Sequence, residues 1–166
     1  MSDAFQPPRP GAEHALLAPF IGTFRATIRL FFGPGEPQIS QGTMRNTWDV
    51  DGLYLNQHFT GDPAPPPYPA FVGRGYWGYN FSTRQYEGFW IDNASSIMQS
   101  ETGAVDASGK VWTMLSEFTH PTTGERIARR SVIELKDHDH HVIESWMTGP
   151  NSQELRTMQI EYRRVD

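Results

Sequence analysis

From Gly22 onward, apolar residues recur at every second position. Phe24, Ala26, Ile28, Leu30 and Phe32 alternate with Arg25, Thr27 and Arg29, the pattern of a strand with one dry face. Gly42, Met44, Asn46 and Trp48 repeat it against Thr43, Arg45 and Thr47. After a turn at Asp49-Val50-Asp51-Gly52, a third set follows at Leu53, Leu55, Gln57 and Phe59. The segment Gly61 to Pro69 holds five prolines and is read as a stiff loop, because proline cannot donate to a ladder. Further strands are predicted over Val72–Asn80, Arg84–Asp92, Ser96–Glu101, Lys110–Phe118, Arg126–Lys136, His141–Thr148 and Glu154–Arg164. Asp106-Ala107-Ser108-Gly109, Pro121-Thr122-Thr123-Gly124, Asp137-His138-Asp139-His140 and Gly149-Pro150-Asn151-Ser152 lie between them with turn chemistry.

Ahead of these strands, Ala12 to Phe20 reads as the one helical stretch, with Pro19 ending it. Residues 1–11 read as a loose, proline-rich arm and residues 12–166 as one domain. About ten strands joined by short hairpins form a meander, and a sheet of that size with one dry face removes its edges by closing. The predicted fold is therefore all-β: a single, roughly ten-stranded antiparallel up-and-down barrel with a short N-terminal helix.

Composition narrows the function. The chain has 166 residues and no cysteine, which excludes disulfide frameworks, thiol nucleophiles and cysteine-ligated metal centres. A formal charge of −5 is the opposite of a nucleic-acid footprint, so no nucleic-acid partner is expected. No apolar run reaches membrane length and the N-terminus lacks the features of a signal peptide, so no membrane partner and a cytoplasmic location are expected.

A barrel of this size leaves room for a ligand, and 13% aromatic residues could line it. The expected partner is a small apolar or aromatic molecule held by Trp48, Trp77, Tyr79, Trp90 and Met114. Asn46 and Gln57, polar residues on otherwise apolar strand faces, would orient it, and Asp92 would sit at the rim, fixing a polar group or capping its turn. Gly73-Arg74-Gly75-Tyr76-Trp77-Gly78-Tyr79 mixes glycines with rings, as where a large side chain crosses a strand. No phosphate-loop spacing and no Gly-x-Ser-x-Gly elbow occurs. If the barrel is an enzyme, Asp92, Glu144 or His58 are the candidate proton-transfer groups. His138, His140 and His141 invite a metal reading but fall at a hairpin turn, so neither a metal nor a cofactor is assigned.

Gly22-Thr23-Phe24 opening the first strand after a short helix, and Arg163 or Arg164 near the end of the last, resemble the calycin (lipocalin-like) plan. There an aromatic on the first strand is covered by a basic residue from the final one. Further blocks are EHALLAPFIGTF (Glu13 to Phe24), RGYWGYN (Arg74 to Asn80), YEGFWID (Tyr86 to Asp92), KVWTM (Lys110 to Met114), RSVIELKDHDHH (Arg130 to His141) and TGPN (Thr148 to Asn151). Together they resemble the bacterial domain-of-unknown-function family 1579, which implies a calycin-like barrel without implying a chemistry. Phe24 stands where a tryptophan is usual in that family. Some calycin-like barrels, the nitrobindins, carry haem on a late-strand histidine; the final strand here has none, and His141 is the nearest substitute.

Overall fold

The alternation read from the sequence becomes a barrel whose first and last strands meet. The structure, a computed structural model, describes residues 6–149 and 153–166. Among the described residues the strands are β1 (Gly22–Leu30), β2 (Gln38–Asp49), β3 (Tyr54–Gly61), β4 (Val72–Asn80), β5 (Gln85–Asp92), β6 (Gln99–Val105), β7 (Val111–Thr119), β8 (Arg126–Asp137), β9 (His140–Thr148) and β10 (Glu154–Arg164). Each pairs antiparallel with its neighbours in sequence, and β1 closes on β10 from Phe24↔Arg164 to Leu30↔Met158. The turn expected at Gly149 to Ser152 and the start of the expected arm lie partly outside the described residues.

Two expectations need correction. The helix expected from Ala12 to Phe20 is two pieces, α1 (Ala12–Ala15) and a tight 3-10 turn over Ala18–Phe20. Pro19 has no amide hydrogen with which to continue an α-helix. Both pieces still drive Leu17 and Phe20 into the core. The sixth strand, expected at Ser96–Glu101, begins at Gln99 and runs on to Val105. The Asp92 carboxylate accepts hydrogen bonds from the Ala94 and Ser95 amides at 2.9 and 3.0 Å, which keeps the chain turning. Gly103 extends the strand because its bare Cα admits the β7 backbone; a Cβ there would lie 2.0 Å from the Thr113 carbonyl oxygen.

The interior holds two apolar clusters. Leu17, Phe20, Leu55, Trp77, Tyr86, Trp112, Met114 and Ile133 pack beneath α1 and form a floor. Phe24, Ala26, Ile28, Met44, Phe59 and Tyr162 line the β1, β2, β3 and β10 wall. The floor is edge-to-face aromatic, with Phe20, Trp77 and Trp112 at centroid distances of 5.2, 5.2 and 5.6 Å.

Arg164 fastens the floor to the seam. Its guanidinium lies over the Phe24 ring at 4.5 Å and donates to the carbonyls of Pro19 at 2.7 Å, Ile21 at 2.6 Å and His138 at 3.0 Å, and to Asp139 at 2.9 Å. Of the two arginines considered from sequence, Arg164 takes the covering position; Arg163 faces solvent beside Glu161. Gly22 makes the approach possible. Its φ is +129°, and a Cβ would sit 2.2 Å from Arg164 Nη1. Arg164→Met should therefore cost about 2–4 kcal/mol, since the Pro19 and Ile21 carbonyls lose a charged donor together. Gly22→Ala should show a comparable loss in urea unfolding, whereas Arg163→Met should stay within about 0.5 kcal/mol.

Candidate functional site

The end opposite α1 is a mouth, bounded by the loops after β1, β3, β5 and β7. Just inside it the wall turns polar. Arg129 on β8 points inward with Ser131 and Ile133, hydrogen-bonds Gln99 Oε1 on β6, and pairs with Glu101 at 3.3 Å. Their side chains are only 14% and 23% exposed, so this is an ion pair inside the bore. Burial pushes the Glu101 carboxyl up from its ordinary range, and the Arg129 charge draws it only partly back. Arg129 Nε is buried without a partner among the described residues. Ser131 and Ser145, directly opposite on β8 and β9, face each other at 3.4 Å between their hydroxyls.

One ladder rung joins this group to residues expected from the sequence: Asn46↔Gln57, Gln57↔Gly75, Gly75↔Trp90 and Trp90↔Gln99. Barrel strands tilt, so a rung climbs as it crosses the wall. Asn46 is at its low end, donating to the Phe20 carbonyl at 2.8 Å, and Gln99 is at the mouth. Trp90 lies across β4 over Gly73 and Gly75, where Cβ atoms would fall 2.0 and 2.8 Å from its ring. Its indole N–H donates to Asp92 at 3.1 Å, so Asp92 both caps its turn and fixes the ring. Gln57 Oε1 borders the same glycine, 3.1 Å from where a Gly75 Cβ would stand.

The eight residues expected to hold a ligand are thus not one site. Gln57, Trp90 and Asp92 come together at the mouth. Trp77 and Met114 are packed into the floor, Tyr79 backs onto it, and Asn46 is engaged there. Trp48 lies at the floor-end rim and is 37% exposed. The three tryptophans do not converge, because Trp77 and Trp90 pack in different clusters. Two open depressions, of about 500 and 450 Å³, lie on the outer wall. Arg129 and Glu101 escaped sequence reasoning, although Ile127, Ser131 and Ile133 put Arg129 on the inner face by the alternation that flagged Asn46 and Gln57.

The proton-transfer candidates are dispersed. Glu144 faces outward and accepts from Arg156 and Gln159, each at 3.0 Å; His58 is on the outer wall; Asp92 is at the rim. The histidines also diverge. His138 meets Asp139, His140 approaches Glu161 at 3.1 Å, and His141 points into the core. His141 does not suit haem, because its ring is stacked on Tyr162 and set edge-on to Phe20 and Phe24 at 4.6, 4.9 and 4.7 Å. No helix among the described residues is long and apolar enough to cross a membrane.

A closed ten-stranded antiparallel barrel with a helix under one end and a polar ring inside the other defines a cup-shaped β-barrel protein. The chain belongs to the family described as a protein of unknown function, DUF1579, whose family model matches residues 9–164. No curated protein matches it. Among solved structures it is similar to Rv2717c from M. tuberculosis, with 14% identity, a TM-score of 0.66, and coverage of 94% of this chain and 99% of that one. It is also similar to the S-type phycobiliprotein lyase CPES from Guillardia theta, with 10% identity, a TM-score of 0.59, and coverage of 95% and 99%. At these identities the likeness is one of fold.

His141 makes the floor sensitive to acid. Burial, then the nearby His140 and Arg164 charges, lower its pKa to about 3, so the folded protein holds it neutral. The unfolded chain takes up that proton at an ordinary histidine pKa near 6.5. Between those values the unfolded state binds more protons, and stability falls as pH falls. In urea unfolding His141 should contribute a loss of stability from pH 6.5 to pH 5 approaching 1.4 kcal/mol per pH unit, reinforced by His14, whose pKa burial also lowers, and moderated by Glu101, whose raised pKa acts in the opposite sense. His141→Phe should flatten that slope; an unchanged slope would place the titrating group elsewhere.

Proposed function

We propose that this barrel binds a small molecule with an apolar or aromatic body and an anionic or acceptor-bearing head, taken in at the mouth between Trp90 and Arg129. The observation that carries the reading is the buried Arg129–Glu101 pair with an unpartnered Arg129 Nε. Burying a charge pair costs several kcal/mol per ion before their attraction is counted, and well-packed apolar residues would serve stability as well or better. A guanidinium with donors to spare inside a cup is instead suited to reading a ligand.

The groups that occupy this part of the bore, Gln99, Glu101, Arg129 and Gln57, are long and flexible. A ligand head can take the place of Gln99 on Arg129, while its body slides against the Trp90 ring. Burial raises the Glu101 carboxyl above its ordinary range, so it takes up a proton more readily when a second acceptor comes beside the guanidinium.

Two fluorescent probes of nearly the same shape test this: anilinonaphthalene sulfonate, which is anionic, and phenylnaphthylamine, which is neutral. Both should bind saturably and quench tryptophan emission. Arg129→Met should weaken the sulfonate about tenfold and leave the neutral probe unchanged, the signature of one lost charge-assisted contact. Trp90→Ala should weaken both by about 1–3 kcal/mol, the scale of a buried ring's transfer energy. Equal loss of both probes in Arg129→Met would remove the proposed head recognition. A lowered melting temperature in Trp90→Ala with binding intact would make that ring packing alone.

A further inference from the structure

The outer wall of β2, β3 and β4 carries a feature that the interior site does not use. Arg45 pairs directly with His58, and His58 with Arg74, so three basic side chains stand on one rung of three adjacent strands. Directly opposed residues bring their Cβ atoms to about 4.5–5.5 Å, and like charges so placed destabilise a sheet. Several arginines elsewhere on this acidic chain meet carboxylates: Arg25 meets Asp62, Arg129 Glu101, Arg130 Glu154 and Arg156 Glu144. Among the described residues no carboxylate pairs with Arg45, His58 or Arg74. Asp62 is engaged by Arg25 and Asp49 by the Tyr76 hydroxyl at 2.7 Å, while Asp166 accepts from the Thr23 amide at 2.7 Å and reaches Arg45 only through its field, without a hydrogen bond or ion pair.

The row lies in a hollow. The depression of about 450 Å³ is lined by Thr43, Arg45, His58, Thr60, Asp62 and Arg74, and Pro63 gives it a wall. Thr43 and Thr60 are paired on the rung beside the basic row and add two hydroxyl donors. Arg74 is steadied by donating Nη1 to the carbonyls of Gly73 at 2.7 Å and Phe59 at 3.2 Å, which leaves its other amino group for a ligand. Arg45 makes no hydrogen bond among the described residues. Two guanidiniums and an imidazole on three adjacent strands, with hydroxyls beside them, form a flat, donor-rich seat for an oxyanion with several acceptor oxygens.

We propose that this outer wall holds a phosphate group, with Arg45, His58 and Arg74 on its oxygens and Thr43 and Thr60 closing one side. The bound anion supplies the negative charge that the row lacks. The phosphate is free or belongs to a small phosphorylated molecule; the donors are the same in either case. This site is separate from the mouth and does not depend on the reading given for it.

Isothermal titration of the full chain with inorganic phosphate and with glycerol phosphate, against chloride at constant ionic strength, tests the proposal. Saturable binding of one equivalent is expected for at least one of them. Tighter binding of the ester assigns the occupant to a phosphorylated small molecule, and equal binding assigns it to free phosphate. Arg45→Gln and Arg74→Gln should each weaken binding roughly tenfold, the loss of one charge-assisted contact, while Arg126→Gln on the far wall should not. In chloride alone Arg45→Gln should melt no lower than the parent, since Arg45 makes no hydrogen bond or ion pair among the described residues, and phosphate should raise the melting temperature of the parent only. Should Arg74→Gln misfold because its carbonyl contacts are lost, His58→Gln reads the same row without touching them. Absence of saturable binding, or equal losses in Arg126→Gln, would overturn the site.

Discussion

The structure depends on one guanidinium. A barrel made by curling a meander must join its first strand to its last, and backbone pairing alone leaves the floor open beneath that join. Arg164 is the residue that touches every part involved: the Phe24 ring on the first strand, the Pro19 and Ile21 carbonyls of the turn beneath, and the β8–β9 hairpin at His138 and Asp139. Those carbonyls are at the end of a helical turn too short to satisfy them itself. Gly22 is glycine because Arg164 occupies the space its Cβ would fill. Phe24 suits the same geometry, since the face of its ring is what meets the guanidinium.

With the floor sealed, the tilt of the strands divides the interior. A residue's height in the cup depends on its strand as well as its rung, so Asn46, Gln57, Trp90 and Gln99 share a rung yet run from sealed floor to mouth. The floor is built of apolar rings, with Asn46 donating to the Phe20 carbonyl and Tyr86 to the Glu13 carbonyl, while the indole nitrogens of Trp77 and Trp112 stay unpartnered among the described residues. At the mouth an arginine, a carboxylate and paired serines replace those rings.

Much of the fold was legible because β-alternation is a local signal. Val72–Asn80 and Glu154–Arg164 run where the period and the flanking turns place them. Glycines beside rings pointed to a large side chain crossing β4, which proves to be Trp90 over Gly73 and Gly75, and the pairing of Phe24 with a terminal arginine was visible in the motif. The site was less legible for two reasons. Alternation identifies the inner face but not the height, so Trp77 and Trp90, both inward, were expected together and lie in different clusters. Strands apolar on both faces give no orientation either: on β9, Val142 and Trp146 compete with Ile143 and Met147, and it takes the burial of His141 and Ser145 and the contacts of Glu144 with Arg156 and Gln159 to show which face is outside. The break in the N-terminal helix at Pro19 is local, but its purpose, presenting carbonyls to a residue more than 140 positions away, is not.

The two polar features of the barrel differ in how their charge is met, and this separates structural from recognition roles better than burial does. Arg164 is nearly buried and saturated: four of its contacts go to fixed backbone or to Asp139, so a ligand has nothing to gain there. Arg129 is nearly as buried, with a carboxylate partner, yet it keeps a donor unpaired. Arg45 and Arg74 have no carboxylate partner among the described residues. An ion pair whose donors are all satisfied holds a fold together, whereas a cation kept short of acceptors is stabilised by whatever brings them. On that criterion the latch belongs to the fold, and the sites proposed at the mouth and on the outer rung rest on cations that, among the described residues, are left short of acceptors.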